Sequence, residues 1–169
     1  MLHDITCSKF ANGAFSGAFA AALRADWKSR KTGDTTFGDA TTDKISDDIK
    51  SAVKDGHMLT KRAIQMLDEA SNGNQSAIKM FERFFGSISP EKISAVRAGY
   101  QSINEAFEAG FIVNIDIESS DYAYVYRDGK TEIFLGLSYF DAPSFGFNSK
   151  GGVFIHELGH EMLGLKDIV

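Results

Sequence analysis

Hydrophobic positions recur every three or four residues through the middle of the chain and predict a series of helices. The predicted helices run from Asp43 to Gly56, over residues 58–70 and 75–85, and from Pro90 to Gly110. The last of them has the strongest start signal, because Ser89 can cap the first amides and Pro90 suits the first helical position. Gly56 and Gly110 are each expected to end a helix, since glycine tolerates the left-handed backbone of a helix end.

The hydrophobic period changes to two after Gly110 and predicts a small sheet. Three strands are expected, over residues 111–117, 122–127 and 131–137. Asp128-Gly129 predicts a hairpin between the second and the third. A loop over residues 138–150 and a helix over residues 152–163, ended by Gly164, are expected to follow. A helical amino-terminal part, a small antiparallel or mixed sheet and a carboxy-terminal helix together predict an α+β fold.

The first 42 residues are predicted to form a separate amino-terminal segment ahead of a domain at residues 43–169. Residues 10–23 are rich in Gly, Ala and Phe and predict a helix or a tight packing segment, while the polar residues 28–42 predict a linker. The apolar stretch is too short to span a bilayer. It resembles a signal peptide only weakly, because Asp4 and a single lysine precede it.

Composition fits a globular protein of one domain, with 169 residues, 43% of them hydrophobic and 24% charged. The single Cys7 excludes an internal disulfide and a structural zinc site built on several cysteines. A net charge of −5 argues against a general nucleic-acid binder, so no nucleic-acid partner is expected. The same acidic balance leaves a nuclease function without the basic surface that it needs.

His156-Glu157-Leu158-Gly159-His160 places two histidines four residues apart on a predicted helix. Residues at this spacing share one face, so the two imidazoles can bind one metal ion. Glu157 lies beside that face and can take a proton from a metal-bound water, whose pKa zinc lowers toward neutrality. The pattern predicts a catalytic zinc site. The competing interpretation is a buried helix whose histidines are hydrogen-bonded core residues.

A catalytic zinc site normally has three protein ligands, and the sequence offers several candidates for the third. Asp167 is the best placed, because Gly164 lets the chain leave the helix and turn back toward the histidines. Glu161 points sideways from the ligand face, and His57 and His3 are expected on a helix surface or near the terminus. Asp167 is therefore the predicted ligand, with an ordinary solvated acid near the chain end as the alternative.

Several segments between residues 76 and 169 resemble the aspzincin metallopeptidases, the deuterolysin and peptidyl-lysine metalloendopeptidase group. The similar segments are Phe81-Glu82-Arg83-Phe84-Phe85-Gly86, residues 96–107, Ala123-Tyr124-Val125-Tyr126, Ile133-Phe134-Leu135, Phe154-Ile155-His156-Glu157-Leu158-Gly159-His160 and Gly164-Leu165-Lys166-Asp167. The resemblance implies a zincin-like fold with the carboxy-terminal helix as the active-site helix, and Zn²⁺ as cofactor. It further implies His156, His160 and Asp167 as zinc ligands and Glu157 as the base.

The sequence departs from the aspzincin pattern near its carboxy-terminal end. Leu165 stands where the family has threonine, and the interval between the second histidine and the aspartate is shorter than the family's. The family tyrosine that helps to hold the oxyanion would fall beyond Val169, so either the chain is a fragment or another group serves. Tyr124 and Tyr126 on the predicted hairpin are candidates for that role and for substrate binding, and hairpin packing is the alternative.

The segment Phe10-Ala11-Asn12-Gly13-Ala14-Phe15-Ser16-Gly17-Ala18-Phe19 resembles the F-x-N-G-A-x-S-G-A-F motif found just before toxin domains in Rhs-type bacterial polymorphic toxins. This resemblance implies a toxin module released from a larger Rhs-type delivery protein, secreted by a bacterial secretion system and delivered into a target cell. It also implies a cognate immunity protein as a partner. The alternative is a small-residue segment that packs against a helix.

The leading hypothesis is a zinc endopeptidase that acts as a toxin or effector on proteins of a target cell. An extended substrate would pair with an exposed strand edge within residues 122–137. The alternative is a zinc-binding interaction domain of a secreted toxin that does not cleave, which the absent tyrosine favours. Glu157 argues against that alternative, because a structural zinc site needs no base.

Overall fold

The computed structural model describes residues 43–126, 130–144 and 149–165, where three helices precede a small sheet and two follow it. The elements are α1 (Asp43–Ser71), α2 (Gln75–Phe85), α3 (Pro90–Ala109), β1 (Ile112–Ile115), β2 (Ala123–Val125), β3 (Glu132–Leu135), α4 (Leu137–Phe140) and α5 (Lys150–Leu163). This order confirms the predicted α+β class. The helix and linker predicted within residues 10–42 and the Asp128-Gly129 turn lie outside the described residues, and the domain division at residue 42 stays a prediction.

Helix α1 continues through Gly56, so the predicted helix end at that residue is wrong. The glycine instead marks a close approach of two helices, because a Cβ on Gly56 would lie 2.7 Å from the carbonyl oxygen of Gly151 in α5. A Cβ on Gly151 would in turn lie 2.9 Å from the amide nitrogen of Gly56. Contacts this short leave no room for a side chain at either position, and α5 therefore lies directly against α1.

The next two helices begin and end where local signals predict. Asn74 Oδ1 accepts hydrogen bonds from the amides of Ser76 and Ala77 and caps α2. Ser89 Oγ accepts a hydrogen bond from the amide of Lys92 at the start of α3, which ends at Gly110 as predicted. These caps bind amides that have no partner inside the helix, so a short local sequence is enough to place the helix ends.

The sheet is mixed and has the strand order β1–β3–β2. β1 runs parallel to β3, with Val113 opposite Ile133, and β2 runs antiparallel to β3, with Tyr124 opposite Phe134. The three strands are shorter than predicted but lie within the predicted ranges. Among the described strands, β1 and β2 are the two edges.

Residues 137–140 form the short helix α4, where the sequence predicts the end of a strand followed by a loop. This turn of helix brings Tyr139 fully into the core, where its ring lies edge-on to Phe154 with 5.8 Å between centroids. The amide of Leu137 donates to the carbonyl of Ser119 at 2.8 Å instead of extending the β3 ladder. Contacts with residues distant in the sequence therefore decide the conformation of this segment.

Helix α5 packs against α1, α3 and β2 and supplies a large part of the core. Phe154, Ile155 and Leu158 are fully buried, and Phe154 also contacts the ring of Phe111. Because burial of such side chains stabilises the fold by about 1.5–3 kcal/mol each, α5 is held in a defined position. Among the helices that the structure describes, none has both the length and the hydrophobicity to cross a membrane.

Candidate metal centre

Helix α5 carries both predicted histidine ligands and is fixed at both ends. At its start, Ser149 Oγ accepts a hydrogen bond from the amide of Gly152 at 3.2 Å. At its end, Gly164 adopts the left-handed conformation, with φ 63° and ψ 25°, and its amide donates to the carbonyl of His160. The predicted helix end at Gly164 is confirmed. These two caps and the buried face of α5 hold the histidine positions in place.

His156 and His160 face each other at the partly exposed surface of α5. Their Nε2 atoms lie 2.9 Å apart, and the two ring planes are perpendicular, with 4.5 Å between centroids. Two Zn–N bonds of about 2.0–2.1 Å that meet at a tetrahedral angle place the nitrogens about 3.4 Å apart. An increase of about 0.5 Å in the distance between the two Nε2 atoms would therefore make room for a zinc ion. The histidine pair fits the ligand set that the sequence predicts.

The other ring nitrogen of His160 is also engaged. His160 Nδ1 lies 2.9 Å from the backbone carbonyl oxygen of Leu165. Because a carbonyl only accepts hydrogen bonds, Nδ1 is the donor, and the neutral ring then has its lone pair on Nε2, the atom that faces His156. Metal-binding histidines commonly have a partner of this kind, which holds the ring in its binding orientation.

Glu157 is buried, with an exposed fraction of 5%, although it follows directly after His156. Its position on α5 places it about 100° around the helix from the histidine face. A glutamate next to the histidine pair is the residue type that exchanges protons with a metal-bound water. This arrangement agrees with the predicted base, although its role as a base stays a prediction.

The third ligand does not come from the part of the chain that is described. Within residues 43–126, 130–144 and 149–165, no three His, Cys, Asp or Glu side chains are grouped so that they could hold one metal ion. His57 donates from Nε2 to Asn104 Oδ1 at 3.1 Å and stacks on Phe107, so it is a residue of the α1–α3 contact and not of a helix surface. Asp167 and His3 lie outside the described residues, and Asp167 stays the predicted ligand.

Tyr124 and Tyr126 lie at the edge strand, and Tyr124 has a partner that the sequence did not indicate. The Tyr124 hydroxyl donates to Asp116 Oδ2 at 2.8 Å, and its ring stacks on Phe134 with 5.1 Å between centroids. The Asp116 carboxylate raises the pKa of Tyr124 well above its ordinary value. Tyr126 follows β2 and is 58% exposed. The arrangement supports the packing interpretation for Tyr124, while a role in substrate or oxyanion binding stays a prediction.

Strand β2 offers backbone groups at the sheet edge that faces away from β3. The amide of Gly136 donates to the carbonyl of Tyr122 at 3.1 Å, so the backbone groups of Tyr122 point toward β3. Because backbone direction alternates along an antiparallel strand, the amides and carbonyls of Ala123 and Val125 point outward. β2 also packs against α5, so this edge lies beside the helix that carries the histidines.

A buried helix with two facing histidines and an adjacent glutamate, beside a strand edge in an α+β fold, is the arrangement expected of a metallopeptidase. The family model for lysine-specific metallo-endopeptidases, the aspzincins, matches residues 70–169. The chain belongs to this family of zinc metalloendopeptidases, whose cofactor is Zn²⁺. This membership confirms the predicted metallopeptidase family and its cofactor.

Comparison with individual proteins agrees with this family. A zinc peptidase from Grifola frondosa has a similar structure, with a TM-score of 0.65, 20% identity, and coverage of 76% of this chain and 78% of that chain. An extracellular protease from Aeromonas hydrophila is 26% identical over 81 residues, which are 47% of this chain and 23% of that protein. The match therefore spans about a quarter of the length of the bacterial relative.

Proposed function

We propose that this chain hydrolyses peptide bonds in protein substrates, with His156 and His160 as zinc ligands and Glu157 as the general base. The observation that carries the proposal is the pair of Nε2 atoms, 2.9 Å apart on one helix, next to a buried glutamate. Asp167 is the third ligand in this proposal. It is supported by the need of a catalytic site for three protein ligands and by the resemblance of Gly164-Leu165-Lys166-Asp167 to the family stretch.

Proton transfer in this proposal is the task of Glu157. When bound, zinc lowers the pKa of a coordinated water and polarises the substrate carbonyl. Glu157 accepts a proton from this water while the oxygen of the water forms a bond to the carbonyl carbon. Glu157 then gives this proton to the nitrogen of the scissile bond as that bond breaks, so the glutamate returns to its starting state. Burial of Glu157 keeps bulk water from competing for the proton.

Substrate binding is assigned to the outer edge of β2. The outward backbone groups of Ala123 and Val125 can pair with an extended peptide, which would then lie along α5. Asp116, Glu118 and Asp121 precede this strand, and residues 112–126 contain no lysine or arginine. This negative charge favours substrates with basic side chains, which agrees with the lysine specificity in the description of the family.

The test is a comparison of Glu157→Gln with wild type on an unfolded protein substrate. Glutamine keeps the shape of the side chain but cannot accept the proton, so kcat should fall by about 10²- to 10⁴-fold while the zinc content stays near one per chain. Glu82→Gln removes an exposed carboxylate from α2, outside the histidine helix, and serves as the control, which should keep its activity. Undiminished cleavage by Glu157→Gln would overturn the assignment of the base.

The setting of this activity is proposed to be a bacterial toxin or effector. The similarity of residues 10–19 to the motif ahead of Rhs-type toxin domains supports delivery into a target cell, and the extracellular protease relative supports secretion. A parent delivery protein and an immunity protein are the expected partners. Expression of the chain inside bacterial cells should arrest growth, and Glu157→Gln should relieve the arrest. Equal growth inhibition by both forms would contradict a proteolytic toxin.

The same two assays also test the alternative function, a zinc-binding interaction domain that does not cleave. A wild-type chain that binds one zinc ion but leaves every substrate intact would favour this alternative. The buried position of Glu157 beside the histidines argues against it, because a structural zinc site gains nothing from a shielded carboxylate at that point.

A further inference from the structure

The end of α5 and the ring of a proposed zinc ligand are joined in one small structure. Gly164 N donates to the carbonyl of His160 at 3.1 Å, which closes the last turn of the helix. The next residue, Leu165, turns its carbonyl oxygen back to His160 Nδ1 at 2.9 Å. Gly164, which has a left-handed backbone, links these two hydrogen bonds. The orientation of the His160 ring therefore depends on the conformation of this glycine.

We propose that Gly164 is a positioning residue for zinc binding, acting through the Leu165 carbonyl on His160. The left-handed conformation places this carbonyl where it accepts the Nδ1 proton, which leaves the Nε2 lone pair directed at His156. Without that acceptor, the His160 ring is free to rotate and to hold its proton on either nitrogen. The proposal rests on the proposed function of the same site, since it takes His156 and His160 as zinc ligands.

The surroundings of Gly164 make this effect separable from packing. Apart from its chain neighbours, no atom of the described residues lies within 4 Å of a Cβ built at residue 164, so a side chain there meets no clash with that part of the chain. The left-handed backbone, however, is unfavourable for an ordinary L-residue, and it is less unfavourable for asparagine. A substitution therefore acts through the backbone alone, and its effect should follow the tolerance of each residue for the left-handed region.

The experiment measures zinc affinity by chelator competition for wild type, Gly164→Asn, Gly164→Ala and Gly164→Val. We expect Gly164→Val to weaken zinc binding by about 10-fold or more, as is usual when the partner of a ligand is lost. Gly164→Ala should be intermediate and Gly164→Asn close to wild type, because asparagine restores the turn. Equal affinity in all four forms, or a loss in Gly164→Asn as large as in Gly164→Val, would overturn the proposal.

Gly73→Ala is the matched control, because Gly73 also has a positive φ, 85°, and a Cβ there would meet no atom within 4 Å in the described part of the chain beyond its own neighbours. It lies between α1 and α2, so it carries the same backbone penalty away from the histidines. This variant should keep the wild-type zinc affinity. A loss equal to that of Gly164→Ala would assign the effect to general destabilisation and overturn the proposal.

A second readout reports on the ring itself. The ¹⁵N chemical shifts of His160 in the metal-free chain should show the proton on Nδ1 in wild type and Gly164→Asn, and a mixture of tautomers in Gly164→Val. An unchanged tautomer in a folded Gly164→Val chain would overturn the proposal. Failure of the proposed function would give a different result. The wild-type chain would then not bind zinc, or would bind zinc without cleaving peptides, while the His160 tautomers of the variants would still differ as expected.

Discussion

Asp167 is the residue on which tight zinc binding is expected to depend. Two histidines leave a zinc ion with too few protein ligands, and a carboxylate would also offset part of the ion's charge. Asp167→Ala should therefore weaken zinc binding at least tenfold, which corresponds to about 1.4 kcal/mol. Chelator competition measures the change, with Asp141→Ala as a control at an exposed carboxylate outside the site. Unaltered affinity would contradict Asp167 as the third ligand and move that role to another residue outside the described ranges, such as His3.

Tyr139 is a second residue with a sharp expectation, this time for stability. Its side chain is fully buried, and among the described residues its hydroxyl has no hydrogen-bond partner. Burial also raises the pKa of Tyr139 far above its ordinary value. Since a buried polar group without a partner costs about 1–3 kcal/mol, Tyr139→Phe should raise the free energy of unfolding by about 1 kcal/mol. Urea denaturation measures this, and a destabilised variant would show that the hydroxyl has a partner.

At the scale of elements, the contact between α1 and α5 determines where the histidine helix lies. Gly56 and Gly151 allow the two backbones to touch, and the chain following Gly151 leads within five residues to His156. Phe107 of α3 reaches the same point, since a Cβ on Gly56 would lie 3.0 Å from its ring. Three helices therefore meet about one turn before the two histidines. The position of the proposed zinc site depends on this contact.

Gly56→Ala tests this contact, because the change in the free energy of unfolding should have opposite signs with and without it. In an open helix interior, alanine is more favourable than glycine by about 0.8–1.0 kcal/mol. At Gly56 the added methyl would lie 2.7 Å from the Gly151 carbonyl oxygen, so the helices must separate, at a typical cost of about 1–3 kcal/mol. Denaturation should show a less stable variant, with Lys54→Ala in the same helix as the control. A more stable Gly56→Ala chain would mean that the helices are not in contact there.

The same elements show which parts of the structure a sequence can predict. The start of α3 at Ser89-Pro90 and the end of α5 at Gly164 were predicted correctly, because each depends on residues within one helical turn. The histidine spacing has the same local character, since a single helix creates it. Gly56 was misinterpreted because its role depends on Gly151, which is 95 positions away. For the same reason, the sequence did not indicate α4 or the parallel pairing of β1 with β3. The Leu165 carbonyl on His160 is local, but it depends on the orientation of the histidine ring, which the sequence pattern does not indicate.

At the scale of the whole molecule, the zinc site and the fold should stabilise each other. The helix that carries the histidines is also the one that packs against α1, α3 and β2. A metal ion that binds the native chain and not the unfolded one therefore stabilises all of these contacts together. The free energy of unfolding of the protein itself must therefore be measured on the metal-free chain, where zinc binding does not contribute to it.

His57 connects the stability of the whole molecule to pH. It is buried between α1 and α3, where Nε2 donates to Asn104 Oδ1 and the ring stacks on Phe107. Burial, and next the positive charge of Lys61, lower the pKa of His57 below its ordinary value, although Asn104 and Glu108 act in the opposite direction. The unfolded chain therefore binds a proton at a higher pH than the folded chain does.

The stability of the metal-free chain should consequently fall as the pH is lowered through the unfolded-state pKa of about 6.5. The contribution of His57 is fully present above this pKa, decreases below it, and is lost once the pH has passed the lowered folded-state pKa. His57→Gln removes this titration, so its free energy of unfolding should fall less than that of wild type between pH 7.5 and pH 5. Because the two proteins differ only at residue 57, the difference between the two slopes isolates His57. Parallel slopes would show that His57 has the same pKa in the folded and unfolded chains, and the contact between α1 and α3 would then not shield it from water.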